Sequence, residues 1–114
     1  MKSKILALSK NEEFKNLLKK KKVSNMYVTI FYGILENKNK NKKKLNISFV
    51  TKKKIGNAVK RNKIKRRLRN IIDEAVKKIS IKFNYSYLVI AKPTMLNINY
   101  TNIKETIFQS LKKI

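Results

Sequence analysis

Seven basic residues crowd the ten positions from Lys60 to Arg69, and Lys52, Lys53 and Lys54 stand just ahead of them. Like charges held this close repel one another unless counter-charge is supplied. The chemistry they offer is polyanion binding. All four arginines of the chain (Arg61, Arg66, Arg67 and Arg69) fall in this stretch. Lysine and asparagine are spread elsewhere, as in the run NKNKNKKK over 37–44. That background is what an AT-rich coding sequence produces, but it does not gather the arginines. A guanidinium offers a planar fork of donors that grips phosphate bidentately and stacks on bases, which lysine does not. A basic run on a helix is ordinarily a solvated face. Here the crowding and the arginine content favour a binding surface. Phe14, Tyr27 and Phe31 could add stacking on unpaired bases, or simply fill the core.

Catalytic chemistry is poorly supplied. The six acids are Glu12, Glu13, Glu36, Asp73, Glu74 and Glu105. Glu12, Glu13 and Glu105 sit where helices should start, Asp73 can pair with Lys77 at i,i+4, and Glu36 borders a loop. None forms a pair for general acid–base work or a two-metal site. The chain has no Cys and no His. Thiol nucleophiles, disulfides, imidazole ligands and Ser-His-Asp arrangements are therefore excluded. With Gly33 and Gly56 the only glycines, there is no Gly-rich phosphate loop. The expectation is no catalytic residue and no metal ligand in this chain.

The elements must display the basic stretch. At 114 residues, net charge +24 and 42% hydrophobic residues, one domain over 1–114 with a modest core is expected. No apolar run approaches the ~20 residues of a membrane span. The start MKSKILALSK is a poor signal peptide, and the lack of cysteine fits the cytoplasm. Asn11 caps a first helix carrying Phe14, Leu17 and Leu18, with Lys19 to Lys22 at its negative end. Residues 26–35 predict a strand whose better core face is Val28, Ile30, Tyr32 and Ile34. A Lys/Asn hairpin loop over 36–44 leads to a second strand, 45–51, expected antiparallel to the first. Gly56 and Asn57 open a long helix to about Ile79 with a stripe of Ile64, Leu68, Ile71, Ile72, Ala75 and Ile79. At 100° per residue, Asn62, Arg66, Asp73 and Lys77 lie opposite that stripe and Arg69 on its shoulder. Arg61 lies nearer the apolar side. Residues 85–91 predict a strand buried on both faces, ended by Pro93. Asn102 with Glu105 reads as a capping box for a last helix carrying Ile103, Ile107, Leu111 and Ile114. The order is α-β-β-α-β-α, a single-domain α/β sandwich in the α+β sense. The second strand, long helix and third strand could form a parallel pair.

The segment KKIGNAVKRNKIKRRLR, Lys53 to Arg69, resembles the signature of the bacterial ribonuclease P protein subunit family. The matching elements are Lys53-Lys54, Gly56, Ala58-Val59, Arg61-Asn62, Ile64, Lys65-Arg66 and Leu68-Arg69. Total length, the Asn-Glu-Glu-Phe start of the first helix and the Ala91-Lys92-Pro93 exit from the third strand reinforce it. The resemblance implies a fold like the second domain of a ribosomal small-subunit protein, with a left-handed crossover through the long helix. It implies a ribonucleoprotein endonuclease that removes the 5′ leader of precursor tRNA. Its RNA subunit would carry the active site and the required Mg2+, with no metal bound by the protein and no protein partner required. It further implies RNA contacts at Lys53, Lys54, Asn57, Lys60, Arg61, Asn62, Lys65, Arg66 and Arg69. A cleft for the single-stranded leader would include Phe14, Lys52 and Phe31, or Tyr32 if the match slips by one. The chain departs from the family at Leu18, where a second aromatic is common, at Lys19 to Lys22, where a Gly-containing turn is usual, and at Asn70, often an acid. Two other classes stay open on the residues alone: a generic RNA-binding or ribosome-associated protein, and a DNA-binding or membrane-active cationic one. The latter is weakened by the lack of a helix-turn-helix or dimer zipper.

Overall fold

In a computed structural model, residues 5–6, 20–34, 45–81 and 85–114 are described. The predicted first helix with Phe14, and the loop over 36–44, lie outside them. The described elements are strands β1 (Ile5–Leu6), β2 (Lys21–Ser24), β3 (Val28–Gly33) and β4 (Leu45–Val50), helix α1 (Ala58–Lys78), strand β5 (Ser86–Ala91) and helix α2 (Tyr100–Lys112). Short 3-10 turns at Lys53–Ile55 and Pro93–Asn97 precede the two helices.

The strands form one sheet in the order β1-β4-β5-β3-β2. β4 and β5 run parallel, joined by α1, as the strand–helix–strand reading allowed. The expected antiparallel pairing of the 26–35 and 45–51 strands is not made. β5 lies between them, antiparallel to β3 in register Ile30↔Val89 and parallel to β4 in register Phe49↔Val89. The physical reason is burial. β5 is apolar on both faces, with Tyr87, Leu88 and Val89 each at most 3% exposed, so it takes the centre. Lys21 and Lys22 were expected at a helix end. They instead belong to edge strand β2, where lysines are solvated while the alternate residue Val23 packs on the core.

The main core fills one face of the sheet. Val28, Ile30, Ile47, Tyr87 and Val89 meet Ile64, Leu68, Ile71, Ile72 and Ala75 of α1 and Ile103, Ile107 and Leu111 of α2. The aliphatic face predicted for 26–35 is thus the buried one, although Ile34 past the strand end is 55% exposed. The cap of α2 lies three residues earlier than expected. Asn99, not Asn102, is the capping residue, its side chain accepting from the Asn102 N–H at 2.9 Å.

The turn between β2 and β3 is cross-braced. Asn25 Oδ1 accepts from the N–H groups of Tyr27 and Val28 at 2.8 and 2.9 Å, while its Nδ2 donates to Ser110 Oγ on α2 at 2.9 Å. Lys92, directly after β5, donates Nζ to Ser24 Oγ at 2.9 Å and to the Asn25 carbonyl. Thr94 donates its hydroxyl to the Met26 carbonyl. The Ala-Lys-Pro exit of the central strand therefore locks the neighbouring turn.

Candidate nucleic-acid interface

The basic segment is presented by a constrained start. Ile55, 4% exposed, pins the 3-10 turn to the core and leaves Lys52, Lys53 and Lys54 exposed around it. Gly56 follows at φ 150°, a region that side-chain-bearing residues rarely adopt. Asn57 Oδ1 then accepts from the Lys60 N–H at 3.0 Å, and the Asn57 carbonyl from the Arg61 N–H at 3.0 Å, opening α1. The predicted cap is the observed one.

From there the stripe of Ile64, Leu68, Ile71, Ile72 and Ala75 fixes the rotation of α1. Asn62, Lys65, Arg66 and Arg69 are exposed on the other side and, with Val59, line an open concavity of about 570 Å³. Val59 is 76% exposed. An apolar residue so placed beside four polar ones gives the concavity a contact for sugar or base between cationic walls. The ion pairs of α1 made through Glu74, to Lys104 at 3.3 Å and Lys78 at 3.9 Å, lie in its last third, away from this surface.

The four arginines do not act as one group. Arg66 and Arg69 face solvent. Arg67 is half-buried and its Nη1 donates to the Ile98 carbonyl at 3.4 Å, tying α1 to the segment before α2. Arg61 is half-buried, with its Nε sealed from solvent and without a hydrogen-bond partner. A buried donor of this kind is a demand for an acceptor.

On the sheet face turned away from α1 and α2, Leu88 is 3% exposed and packs with the partly buried Phe31, Val50 and Ile90. Lys22 stands opposite Phe31 in register, and Lys52 is exposed just past the end of β4. Phe31 therefore has the parity of this outer face, whereas Tyr32 packs against the main core. Read from the sequence, Lys22 and Val59 have no site role: Lys22 reads as part of a helix end and Val59 as part of the signature. Lys22 could be found only by seeing the alternation Lys21-Lys22-Val23-Ser24 as an edge strand, and Val59 only by fixing the helix phase. Among the described residues, no group of three or more acids, His or Cys could hold a metal ion, and no helix is long and apolar enough to cross a membrane.

The comparisons with known proteins agree with one another. The family model described as Ribonuclease P matches residues 3–114. A protein of Carboxydothermus hydrogenoformans named Ribonuclease P protein component is 33% identical over 109 residues, covering 92% of this chain and 87% of that protein. One of the same name from Mycoplasma mycoides is 29% identical over 94% of both. A solved Staphylococcus aureus RNase P protein, a mutant with defective mRNA degradation activity, superposes with TM-score 0.76 at 28% identity, covering 93% of this chain and 85% of that one. The Thermotoga maritima RNase P protein shares the fold with TM-score 0.78 at 22% identity, covering 96% and 97%. A signature that spans the start of α1, a family match along nearly the whole sequence and a shared fold converge, and the chain belongs to the Ribonuclease P protein family.

Proposed function

We propose that this chain is the protein subunit of a ribonucleoprotein that removes the 5′ leader of precursor tRNA, with the bond-breaking centre in the RNA subunit. The single observation that carries the division of labour is the contrast within α1. It holds Lys65, Arg66 and Arg69 out to solvent on a rigid scaffold, while no described group of three or more acids could hold a metal ion. Mg2+ takes oxygen ligands, the chain has only six carboxylates, and no described group of three could hold an ion, which supports a reading in which the ions the reaction needs are held by RNA phosphates.

In this reading Lys53, Lys54, Asn57, Lys60, Arg61, Asn62, Lys65, Arg66 and Arg69 dock the protein on the catalytic RNA. The outer sheet face around Phe31, with Lys52 at its end, takes the single-stranded leader. Phe14, which lies outside the described residues, joins this group on the family resemblance alone. The protein neutralises phosphates that would otherwise repel between catalytic RNA and substrate, which lowers the Mg2+ requirement and makes binding salt-sensitive. No protein partner is needed, and the reaction belongs to the cytoplasm, where precursor tRNA is made.

The test is reconstitution. Protein alone should leave precursor tRNA intact, and protein added to catalytic RNA should raise cleavage at low Mg2+. Precursor with a leader should bind the holoenzyme more tightly than mature tRNA. Equal affinity for the two would favour a generic RNA-binding protein, and cleavage by protein alone would overturn the mechanism.

A further inference from the structure

We propose a second site for an unpaired RNA nucleotide at the end of the sheet remote from Lys52 to Lys54. An open concavity of about 420 Å³ there is lined by Lys20, Lys21, Tyr32, Gly33, Ile34 and Tyr85. Its volume is in the range of about 300–1,000 Å³ common for small-molecule sites. The register Gly33↔Ser86 puts it at the start of β5. Lys52 to Lys54 follow the end of β4, which runs parallel to β5. The length of the strands, about 20 Å, therefore separates the two. It is also distinct from the outer face: Tyr32 and Tyr85 pack against the main core, on the side opposite Phe31.

The floor is aromatic and backed by the core. The Tyr32 and Tyr85 rings stack at 5.9 Å with 30° between planes. Tyr85 in turn leans on Tyr87 at 6.4 Å, and Tyr87 is 2% exposed. Ile34, 55% exposed, adds an apolar rim. The cations are placed rather than scattered. Lys21 stands directly across from Tyr32 in register. Lys20 lies across Gly33 so closely that a Cβ there would meet Lys20 Cγ at 2.9 Å, so glycine is what lets that stem fold over the strand. Among the described residues, no acid lines the site.

A ring platform with an aliphatic rim and two ammonium groups matches a base stacked on tyrosine with its phosphates on Lys20 and Lys21. An acidic peptide would use the lysines and leave the rings idle. The site extends the RNA-binding reading above to a contact outside the leader and α1 surfaces.

The experiment is an NMR titration of the full 15N-labelled chain with a hexa-adenylate RNA. The amides of Lys20, Lys21, Gly33 and Ile34 should shift saturably. The double variant K20S/K21S, altering two exposed residues, should weaken that binding about fivefold or more while leaving the shifts around Phe31 and Ile90 and the melting temperature unchanged. Tyr85→Leu should weaken it about tenfold with both lysines in place. Unmoved amides, or an unaffected double variant, would overturn the site. Hexaglutamate giving the same shifts at the same concentration would overturn its nucleotide character. Precursor cleavage by the reconstituted enzyme is measured separately, so either reading can fail alone.

Discussion

Arg66 and Arg67 are neighbours of one type with opposite roles. Arg66 stands in the α1 concavity, and Arg67 reaches back to the Ile98 carbonyl. Arg66→Ala should weaken RNA binding about tenfold, the size of a lost charge-assisted contact, and move the melting temperature by no more than about 2 °C. Arg67→Ala should do the reverse, lowering the melting temperature by several degrees with a smaller effect on affinity. Calorimetry and filter binding on the two variants read both quantities. The heptad-like spacing of Ile64, Leu68 and Ile71 is enough by itself to place Arg66 on the solvent side. It is not enough for Arg67, whose partner is a backbone carbonyl thirty-one residues away. Tertiary hydrogen bonds of this kind leave no local pattern.

Among the elements, the two helices depend on side-chain caps. Asn57→Ala should cost about 1 kcal/mol, or roughly 4–6 °C in a thermal melt. It should also loosen the placement of Lys53 and Lys54. The cap at Asn57 was legible because Gly-Asn precedes a periodic stripe. The cap at Asn99 was not, because Asn102 with Glu105 offers an equally good local signal three residues on. The α1–α2 contact carries a second handle. The Tyr100 hydroxyl lies 3.5 Å from Glu74 Oε1, and Lys104 Nζ is 5.9 Å from the Tyr100 ring centroid. Partial burial, then the Glu74 carboxylate and the hydrogen bond to it, raise the Tyr100 phenol above its usual value. The folded state therefore keeps this proton where the unfolded chain releases it. The associated stability is complete below about pH 10 and is lost as pH climbs through the folded value. An NMR titration of the Tyr100 ring should show a late transition, brought back toward the ordinary range in Glu74→Gln. The Glu74–Lys78 pair, whose lysine is largely exposed, should add less than about 1 kcal/mol. The edge strands escaped the sequence reading for a different reason: β1 has two residues and β2 four, too few for alternation to stand out.

For the whole molecule, a net charge of +24 on a fold only 38 × 30 × 28 Å across opposes compaction. Raising the ionic strength should therefore raise the melting temperature of the free protein while weakening its RNA complex, the slope of log K against log salt reporting the phosphates neutralised. RNA itself should raise the melting temperature by mass action. The α+β class and the parallel pair around α1 were readable from the order of periodicities. The strand order was not, since local pattern fixes which faces are apolar but not which strand is most completely covered.

The central position of β5 sets a timetable for synthesis. The segments at 28–33 and 45–50 leave the ribosome long before the strand that joins them, and the arginine-bearing helix emerges between. A nascent chain halted ahead of residue 86 has no way to unite its two halves. Such a fragment would carry its cationic helix without a sheet to hold it, and truncation there should yield a sticky, unfolded polycation.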